Sequence, residues 1–417
     1  MPKLKSIDLF AGCGGLSLGL EQAGFETVFV NELHPDAMKT FLQNRPRSRL
    51  SHSKNHILDI KTLTRDKDTL QTFSKYIKQE HGEIDLICGG PPCQGYSGIG
   101  HRRTFDLNKS EIPTNHLYKD MAKVVKTIAP KIFLFENVRG LLNSRWTPDG
   151  EKGEIWEDVQ RSFKNIKVKI GKRELRYQVG YKLVFAKDYG VPQNRPRILM
   201  VGLREDIDFT FSDKDTSKGL LPQGYYDAPD LKDLFSDLTD PKWQERKETP
   251  FYLRDPLTDI QESLRTLPNG RILMKGDALS DQEYSNHSEA VVKKFKYMIE
   301  HDSEIPMSMR TKKFSQKVLP STWGKNGPSI TATSLPDDYV HFSQPRVLTV
   351  REWARLQMFP DWYQFAGKRT TGGRRRAGDP DAGDWTREVP KYTQIGNAVP
   401  VGLAKEVGLH LKKILKC

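Results

Sequence analysis

The amino-acid sequence predicts an α/β protein in which a parallel sheet is covered by helices and a smaller, irregular domain is appended. Three observations carry that expectation. Short apolar runs alternate with helix-spaced segments through the first half of the chain. A glycine-rich turn follows the first of these runs directly. After Arg204 the periodicity fades, and Asp, Lys, Pro and Ser become common.

The elements follow in order. KSIDLF is short, apolar and bounded by glycine, so it reads as a strand. LSLGLEQAG has helical spacing, TVFVNE reads as a strand, and PDAMKTFLQN as a helix. IDLICGG is a continuous apolar run of the kind buried on both faces of a parallel sheet. LYKDMAKVVKTI is helical, and KIFLFENV, YKLVFAKDYG and RILMVGL follow as strands. Residues 205–340 are weakly periodic. Beyond them LTVREWARLQMF is amphipathic and helical, and GKRTTGGRRRAGDPDAGD is a loop. QIGNAVPVGLAKEVGLHLKKIL reads as a turn leading into a terminal helix. These changes divide the chain into residues 1–204, 205–392 and 393–417, with the last segment returning to complete the first domain.

Composition narrows the classes. With 417 residues, 36% hydrophobic and 29% charged, the chain can fill a core, which argues against disorder. Lys and Arg exceed Asp and Glu by 66 − 53 = 13, an excess that favours a polyanionic partner such as nucleic acid. The four cysteines are Cys13, Cys88, Cys93 and Cys417; they form no CxxC pair, and no histidine cluster has zinc-ligand spacing. A disulfide scaffold and a structural metal are therefore not expected. The opening MPKLKSIDLFAG enters a strand at once, and no apolar run has the length of a signal or membrane segment. The expectation is a cytoplasmic protein without a membrane partner.

Candidate chemistry collects at strand ends. In DLFAGCGG, the glycines at 12, 14 and 15 permit a tight turn and close approach of a ligand to the backbone. Glu32 ends the second strand, 32 − 12 = 20 residues after Gly12, the offset at which a carboxylate meets ribose hydroxyls in nucleotide-binding α/β folds. Together they indicate an adenosine-type cofactor without separating a nicotinamide dinucleotide from S-adenosylmethionine. Cys93 lies in GGPPCQGYS, just beyond the buried strand IDLIC, behind two prolines that fix the backbone. A thiolate there is a strong nucleophile, whereas Cys88, within the strand, reads as core. Glu136 ends the strand KIFLF, and QNRPR brings Arg195 and Arg197 to the start of another.

At these residues the sequence resembles the DNA (cytosine-5)-methyltransferases. The blocks DLFAGCGGLSLGL, NELHPD, GGPPCQGYS, FENVRG, YGVPQNRPR, RVLTVREWARLQMFPD and QIGNAVP occur in that family's order, over residues 8–203 and 345–404. The resemblance implies a Rossmann-like S-adenosylmethionine-dependent methyltransferase domain with a smaller target-recognition domain. It implies transfer of a methyl group from S-adenosylmethionine to carbon 5 of cytosine, leaving S-adenosylhomocysteine and needing no metal. Cys93 matches the nucleophile that adds to carbon 6 and so activates carbon 5. Glu136 matches the residue that protonates or hydrogen-bonds ring nitrogen 3. Arg197 resembles the arginine on the cytosine carbonyl oxygen; Arg195 lies beside it, and either cation would favour the Cys93 thiolate. Asn137 is expected to order the loop. Phe10, Ala11, Gly12 and Gly15 match positions lining the cofactor, Glu32 the ribose ligand, Asp59 and Ile60 the adenine contacts, and Leu117 and Asn397 further walls. Leu33 stands where a large aromatic often stacks on adenine, and Ala398 replaces a serine found in some members.

The substrate implied is double-stranded DNA, whose target base must be flipped out of the helix at about a few kcal/mol. Gln94 and Ser97 either touch the flipped base or only shape the turn. Residues 205–345 match no family block apart from PSITATS, and this is where the family varies, because the region reads the major groove. Arg374, Arg375 and Arg376, in a loop longer than usual, are either phosphate contacts or a solvated tip. The resemblance, together with the compact layout, implies a monomer that modifies DNA alongside a cognate restriction endonuclease. Alternatives are the tRNA-modifying branch, whose Cys-Phe-Thr signature is missing here, and a non-catalytic DNA-binding regulator, which would lack the thiol, carboxyl or arginines. A nicotinamide dehydrogenase leaves PPCQ and QNRPR unexplained.

Overall fold

The computed structural model describes residues 3–92, 109–310, 316–324, 327–330, 338–371 and 388–416. The first apolar run forms β1 (Leu4–Leu9), and the Gly-rich turn delivers the chain to α1 (Gly15–Ala23). Gly24, at φ 104°, ends that helix in the left-handed conformation a glycine cap provides. β2 (Phe25–Asn31), α2 (Pro35–Gln43), β3 (His56–Ile57), α3 (Ile60–Thr64) and α4 (Lys67–His81) follow. The chain then returns to the other side of β1 as β4 (Leu86–Gly89). α5 (Leu117–Ile128), β5 (Ile132–Val138), α6 (Glu154–Lys164), β6 (Lys167–Ile170), β7 (Arg173–Phe185) and β8 (Pro196–Arg204) complete an eight-stranded sheet of order β3-β2-β1-β4-β5-β8-β7-β6. The α/β expectation holds.

Strands β3 to β5 are parallel, whereas β5/β8, β8/β7 and β7/β6 are antiparallel. This corrects the expected all-parallel sheet. Residues 186–195 join β7 to β8 without a crossover helix, too short a path for a parallel return. β7 also starts at Arg173 rather than near Tyr181, and it pairs with the unforeseen β6. Exposed Lys and Arg alternate there with buried Val168, Leu175 and Tyr177, so no apolar run marks the hairpin. Charged side chains on an edge strand also discourage pairing with another chain.

The order reverses between β2 and β4 on either side of β1, which makes a topological switch point. The main core lies around this sheet, from Ile7 and Phe29 through Met121 and Val124 to Phe133, Phe163 and Tyr177. The Phe133 ring packs 5.1 Å from Phe163 and 5.2 Å from Tyr177, distances typical of tilted aromatic pairs.

The chain divides into two compact units. One comprises Met1–Phe185, Pro196–Tyr225 and Leu403–Cys417; the other comprises Ala186–Arg195 and Tyr226–Gly402. The boundaries thus differ from the 204/205 and 392/393 read from sequence. Residues after Arg204 stay with the sheet because Tyr181 N–H donates to the Thr216 carbonyl at 3.0 Å and Lys182 pairs with Asp215 at 3.1 Å. The terminal helix α7 (Val401–Ile414) lies mostly in the first unit, where Lys412 Nζ donates to the Ala23 carbonyl at the end of α1.

The second unit holds short helices and two-residue strands among the described residues; its fully buried apolar side chains include Phe235, Trp353, Leu356, Phe359 and Tyr363, and a further cluster joins Phe295, Met298, Val340 and Val347. Buried ion pairs lie among them. Asp237 accepts from Arg265 and Arg355, each at 2.6 Å, and Arg355 also reaches Asp361. The helix expected over LTVREWARLQMF is Val350–Arg355 only, opened by a Thr349–Glu352 capping box. Among the described residues no helix is long and apolar enough to cross a membrane.

Candidate active site

The turn after β1 is built from left-handed residues: Phe10 at φ 60°, Gly12 at 58° and Gly14 at 87°. Such a conformation is natural for the glycines and strained for Phe10, and strain of this kind gathers at ligand sites. A Cβ built on Gly12 would meet nothing within 4 Å, so the turn presents bare backbone to open space. Ala11 N–H donates to the Asn31 carbonyl at 2.9 Å, and Gly15 opens α1.

Glu32 holds this turn in place. Its Oε2 accepts the Gly12 N–H and its Oε1 the His34 N–H, both at 2.8 Å. The residue is buried, and burial pushes its carboxyl pKa up, against the His34 and Gly12 amides that pull it down. Each oxygen keeps a further lone pair for a hydroxyl donor. Beside it the Asn31 amide donates to the Ile57 and Leu58 carbonyls at 3.1 and 2.7 Å. Asp59 caps α3, accepting from Lys61 N–H at 2.9 Å, and is exposed. Ile60 is buried in the core, as is Leu117 at the start of α5. Leu33 is 53% exposed and Leu58 43%, two large apolar groups left open beyond adjacent strands.

Two of the residues expected at the reaction centre come together on β5 and β8. Val138 pairs with Arg197 in register, which brings Glu136, two residues back along β5, onto the guanidinium. Glu136 Oε1 lies 2.7 Å from Arg197 Nε, and both side chains are about nine-tenths covered, at 11% and 10% exposure. The nucleophile's segment is tethered to the same strand: Asn137 Nδ2 donates to the Pro91 carbonyl at 3.0 Å. Gly90 makes room for the acid, since a Cβ there would stand 2.6 Å from Glu136 Oε2. Sequence reasoning missed Gly90; the doubled glycine before PPC was the available signal.

Cys93, Gln94 and Ser97 lie outside the described residues, as do Arg374, Arg375 and Arg376. Cys88 is wholly buried, its thiol donating to the Ile7 carbonyl at 3.6 Å, and burial holds it well above the ordinary thiol range. Arg195 is the other arginine expected at the reaction centre. It belongs to the second unit, is 2% exposed, and donates to the carbonyls of Ile330, Gly396 and Ala398, the last two at 2.7 and 3.1 Å. Its guanidinium is a scaffold for the QIGNAVP segment. Asn397, in that segment, is exposed. No group of His, Cys, Asp and Glu among the described residues has the arrangement of a metal site.

A family model described as C-5 cytosine-specific DNA methylase matches residues 4–413. The chain belongs to the C-5 cytosine-specific DNA methylase family. As a member it is a DNA cytosine-5 methyltransferase, of a family that uses S-adenosylmethionine. Type II methyltransferase M.DdeI of Desulfomicrobium norvegicum is 30% identical over 410 residues, spanning 96% of this chain and 86% of the relative. Type II methyltransferase M.XorII of Xanthomonas oryzae pv. oryzae is 30% identical over 415 residues, spanning 98% and 85%. Among solved structures, a prophage-encoded Escherichia coli protein described as a candidate DNA modification methyltransferase superposes with a TM-score of 0.67. It is 24% identical, and the match covers 99% of this chain and 100% of that one, a likeness of fold. The methylase blocks in the sequence thus coincide with the strand ends where Glu32, Glu136 and Arg197 are found.

Proposed function

We propose that this methyltransferase modifies one cytosine within a specific double-stranded DNA sequence by base flipping and a covalent adduct between Cys93 and carbon 6. The Glu136–Arg197 pair carries this reading, because it sets a carboxylate and a guanidinium side by side next to the strand that leads to Cys93. Arg197 presents a fixed donor fork to the carbonyl oxygen of the flipped cytosine. Glu136 holds a proton at ring nitrogen 3, which draws electrons from carbon 6 and eases thiolate addition there. Asn137 fixes the Pro91 carbonyl, two residues before Cys93, and so limits where the sulfur travels.

The cofactor is held by Phe10, Ala11, Gly12, Gly15, Glu32, Asp59, Ile60, Leu117 and Asn397. The open backbone at Gly12, the anchored Glu32 carboxylate and the exposed Leu33 and Leu58 fit an adenosine moiety. S-adenosylmethionine, when bound, supplies an electrophilic methyl group on a sulfonium. The turn excludes side chains from that space, and Glu32 offers acceptors to ribose hydroxyls. Gln94 and Ser97 touch the flipped base, residues of the second unit read the target, and Arg374, Arg375 and Arg376 meet phosphates. The relatives' names support a type II modification role, in which methylation protects DNA from a partner endonuclease.

The test is methylation of a random duplex library read by bisulfite sequencing. One protected cytosine context is expected; no 5-methylcytosine from folded, cofactor-supplied protein would end the proposal. Duplexes with 5-fluorocytosine at that position should trap a protein–DNA adduct, lost in Cys93→Ser. An adduct persisting in that variant would refute the assignment.

A further inference from the structure

Asp120 is buried in the first turn of α5, yet nothing in the chemistry above uses it. Its Oδ1 accepts the Thr64 hydroxyl at 2.7 Å and lies 3.1 Å from Lys123 Nζ, while Oδ2 lies 3.2 Å from Lys61 Nζ. Burial alone would raise its carboxyl pKa, but the donors from Thr64, Lys123 and Lys61 outweigh it, and the net direction is down. The two lysine stems are about half exposed, so their charges contribute little. The buried Thr64 bond is the specific contact, and it joins two elements that are far apart in sequence.

Those two elements carry two sets of residues assigned to the proposed cofactor site. α3 is five residues long, too short to persist by itself, and it begins at Asp59 and Ile60. α5 begins at Leu117, three residues before Asp120 and on the same helical face. A shift of α3 relative to α5 therefore moves the Asp59–Ile60 wall relative to Leu117. Ile60 and Leu63 pack into the core, but apolar contacts resist sliding less than a directed bond to a charged acceptor.

We propose that Asp120 is a positioning residue that fixes the spacing between the Asp59–Ile60 and Leu117 walls and so sets affinity for the adenosyl cofactor. The proposal rests on the cofactor reading given above. It predicts a loss in cofactor binding with little loss in turnover once the site is filled.

The experiment measures S-adenosylhomocysteine binding by calorimetry, and kcat and KM for S-adenosylmethionine and DNA, on the full-length enzyme. Asp120→Ala should raise Kd and the cofactor KM about tenfold, the loss of one hydrogen bond to a charged group, with kcat and the DNA KM within about twofold. Asp120→Asn, which still accepts from Thr64, should recover most of that loss. Thr64→Val removes only the hydroxyl and should weaken binding several-fold, which keeps the proposal open to test if Asp120→Ala does not fold. Val124→Ala, a core change on the same helix, should lower Tm and leave Kd alone. Wild-type Kd in Asp120→Ala or Thr64→Val, or an equal rise in Val124→Ala, would overturn the proposal. Absence of binding by the wild-type enzyme would overturn the cofactor reading, and this proposal with it.

Discussion

Gly90→Ala adds one methyl group beside Glu136 and removes no functional group. The new Cβ would stand 2.6 Å from Glu136 Oε2, 3.6 Å from the Glu136 carbonyl oxygen and 3.8 Å from Cδ. Ordinary contact begins near 3.4 Å, so the carboxylate must retreat by 3.4 − 2.6 = 0.8 Å. Retreat is easy, because the nearest atom ends a flexible side chain, but it disturbs the 2.7 Å pairing with Arg197. A misplacement on the order of 1 Å can cost about 100-fold in rate, which is about 2.7 kcal/mol on the barrier. Gly90 is not left-handed, so alanine suits its backbone and stability should change by less than about 1 kcal/mol. The assay is transfer of a labelled methyl group to target duplex at saturating cofactor and DNA, beside thermal unfolding. A kcat within about threefold of wild type would refute the idea that the Gly90 space seats the Glu136 carboxylate. Gly89→Ala is the contrasting neighbour: its Cβ would lie 2.7 Å from the Leu9 backbone oxygen, which cannot swing away, so loss of Tm should precede any loss of kcat.

Three further outcomes are expected. Asn137→Ala frees the Pro91 carbonyl and should slow trapping by 5-fluorocytosine DNA about tenfold while S-adenosylhomocysteine binding holds; unchanged trapping would show that the tether is not needed. Asp8 is wholly buried, and burial, only partly offset by Ser17, pushes its carboxyl to about 7 from 3.8. Below pH 4 the folded and unfolded chains are both protonated there; between about pH 4 and 7 only the unfolded chain ionises, so native stability falls by as much as about 4 kcal/mol. Asp8→Asn should therefore gain on wild type in urea midpoint across that window and run parallel above it, and a constant offset throughout would refute this. Arg195→Ala strands carbonyls at Gly396 and Ala398 and should cost about 3 kcal/mol of stability in urea unfolding, whereas wild-type stability with lost turnover would return Arg195 to the reaction centre.

Glu32 and Glu136 were legible because each ends a long apolar run, and a carboxylate where a buried strand emerges has few structural reasons to be there. QNRPR announced both Arg195 and Arg197 at the start of a strand; that strand begins at Pro196, so Arg197 lies in it and Arg195 in the loop before it. The β6–β7 hairpin escaped notice because its solvated face is charged. Residues 205–225 escaped because they join the sheet unit through bonds such as Lys182–Asp215 rather than through a periodic apolar face. In the second unit, Asp237, Arg265, Arg355 and Asp361 form a buried ion cluster, which leaves no period in the sequence.

The antiparallel turn of β8, which sequence patterning did not foresee, is what brings Arg197 to Glu136. β1, β4 and β5 are parallel, so their carboxyl ends bring the Gly12 turn, the Pro91 segment and Glu136 to one edge of the sheet. Arg197 is the second residue of β8, at its amino end. Laid parallel to β5, β8 would carry Arg197 to the opposite edge and bring Arg204 to the edge that holds Glu136, an exchange over seven residues or about 24 Å. Running antiparallel, β8 sets Arg197 against Val138, the last residue of β5, and Arg204 at the far edge, where Glu83 and Asp206 neutralise it at 2.7 Å each. Strand direction thus decides which of the two arginines meets Glu136.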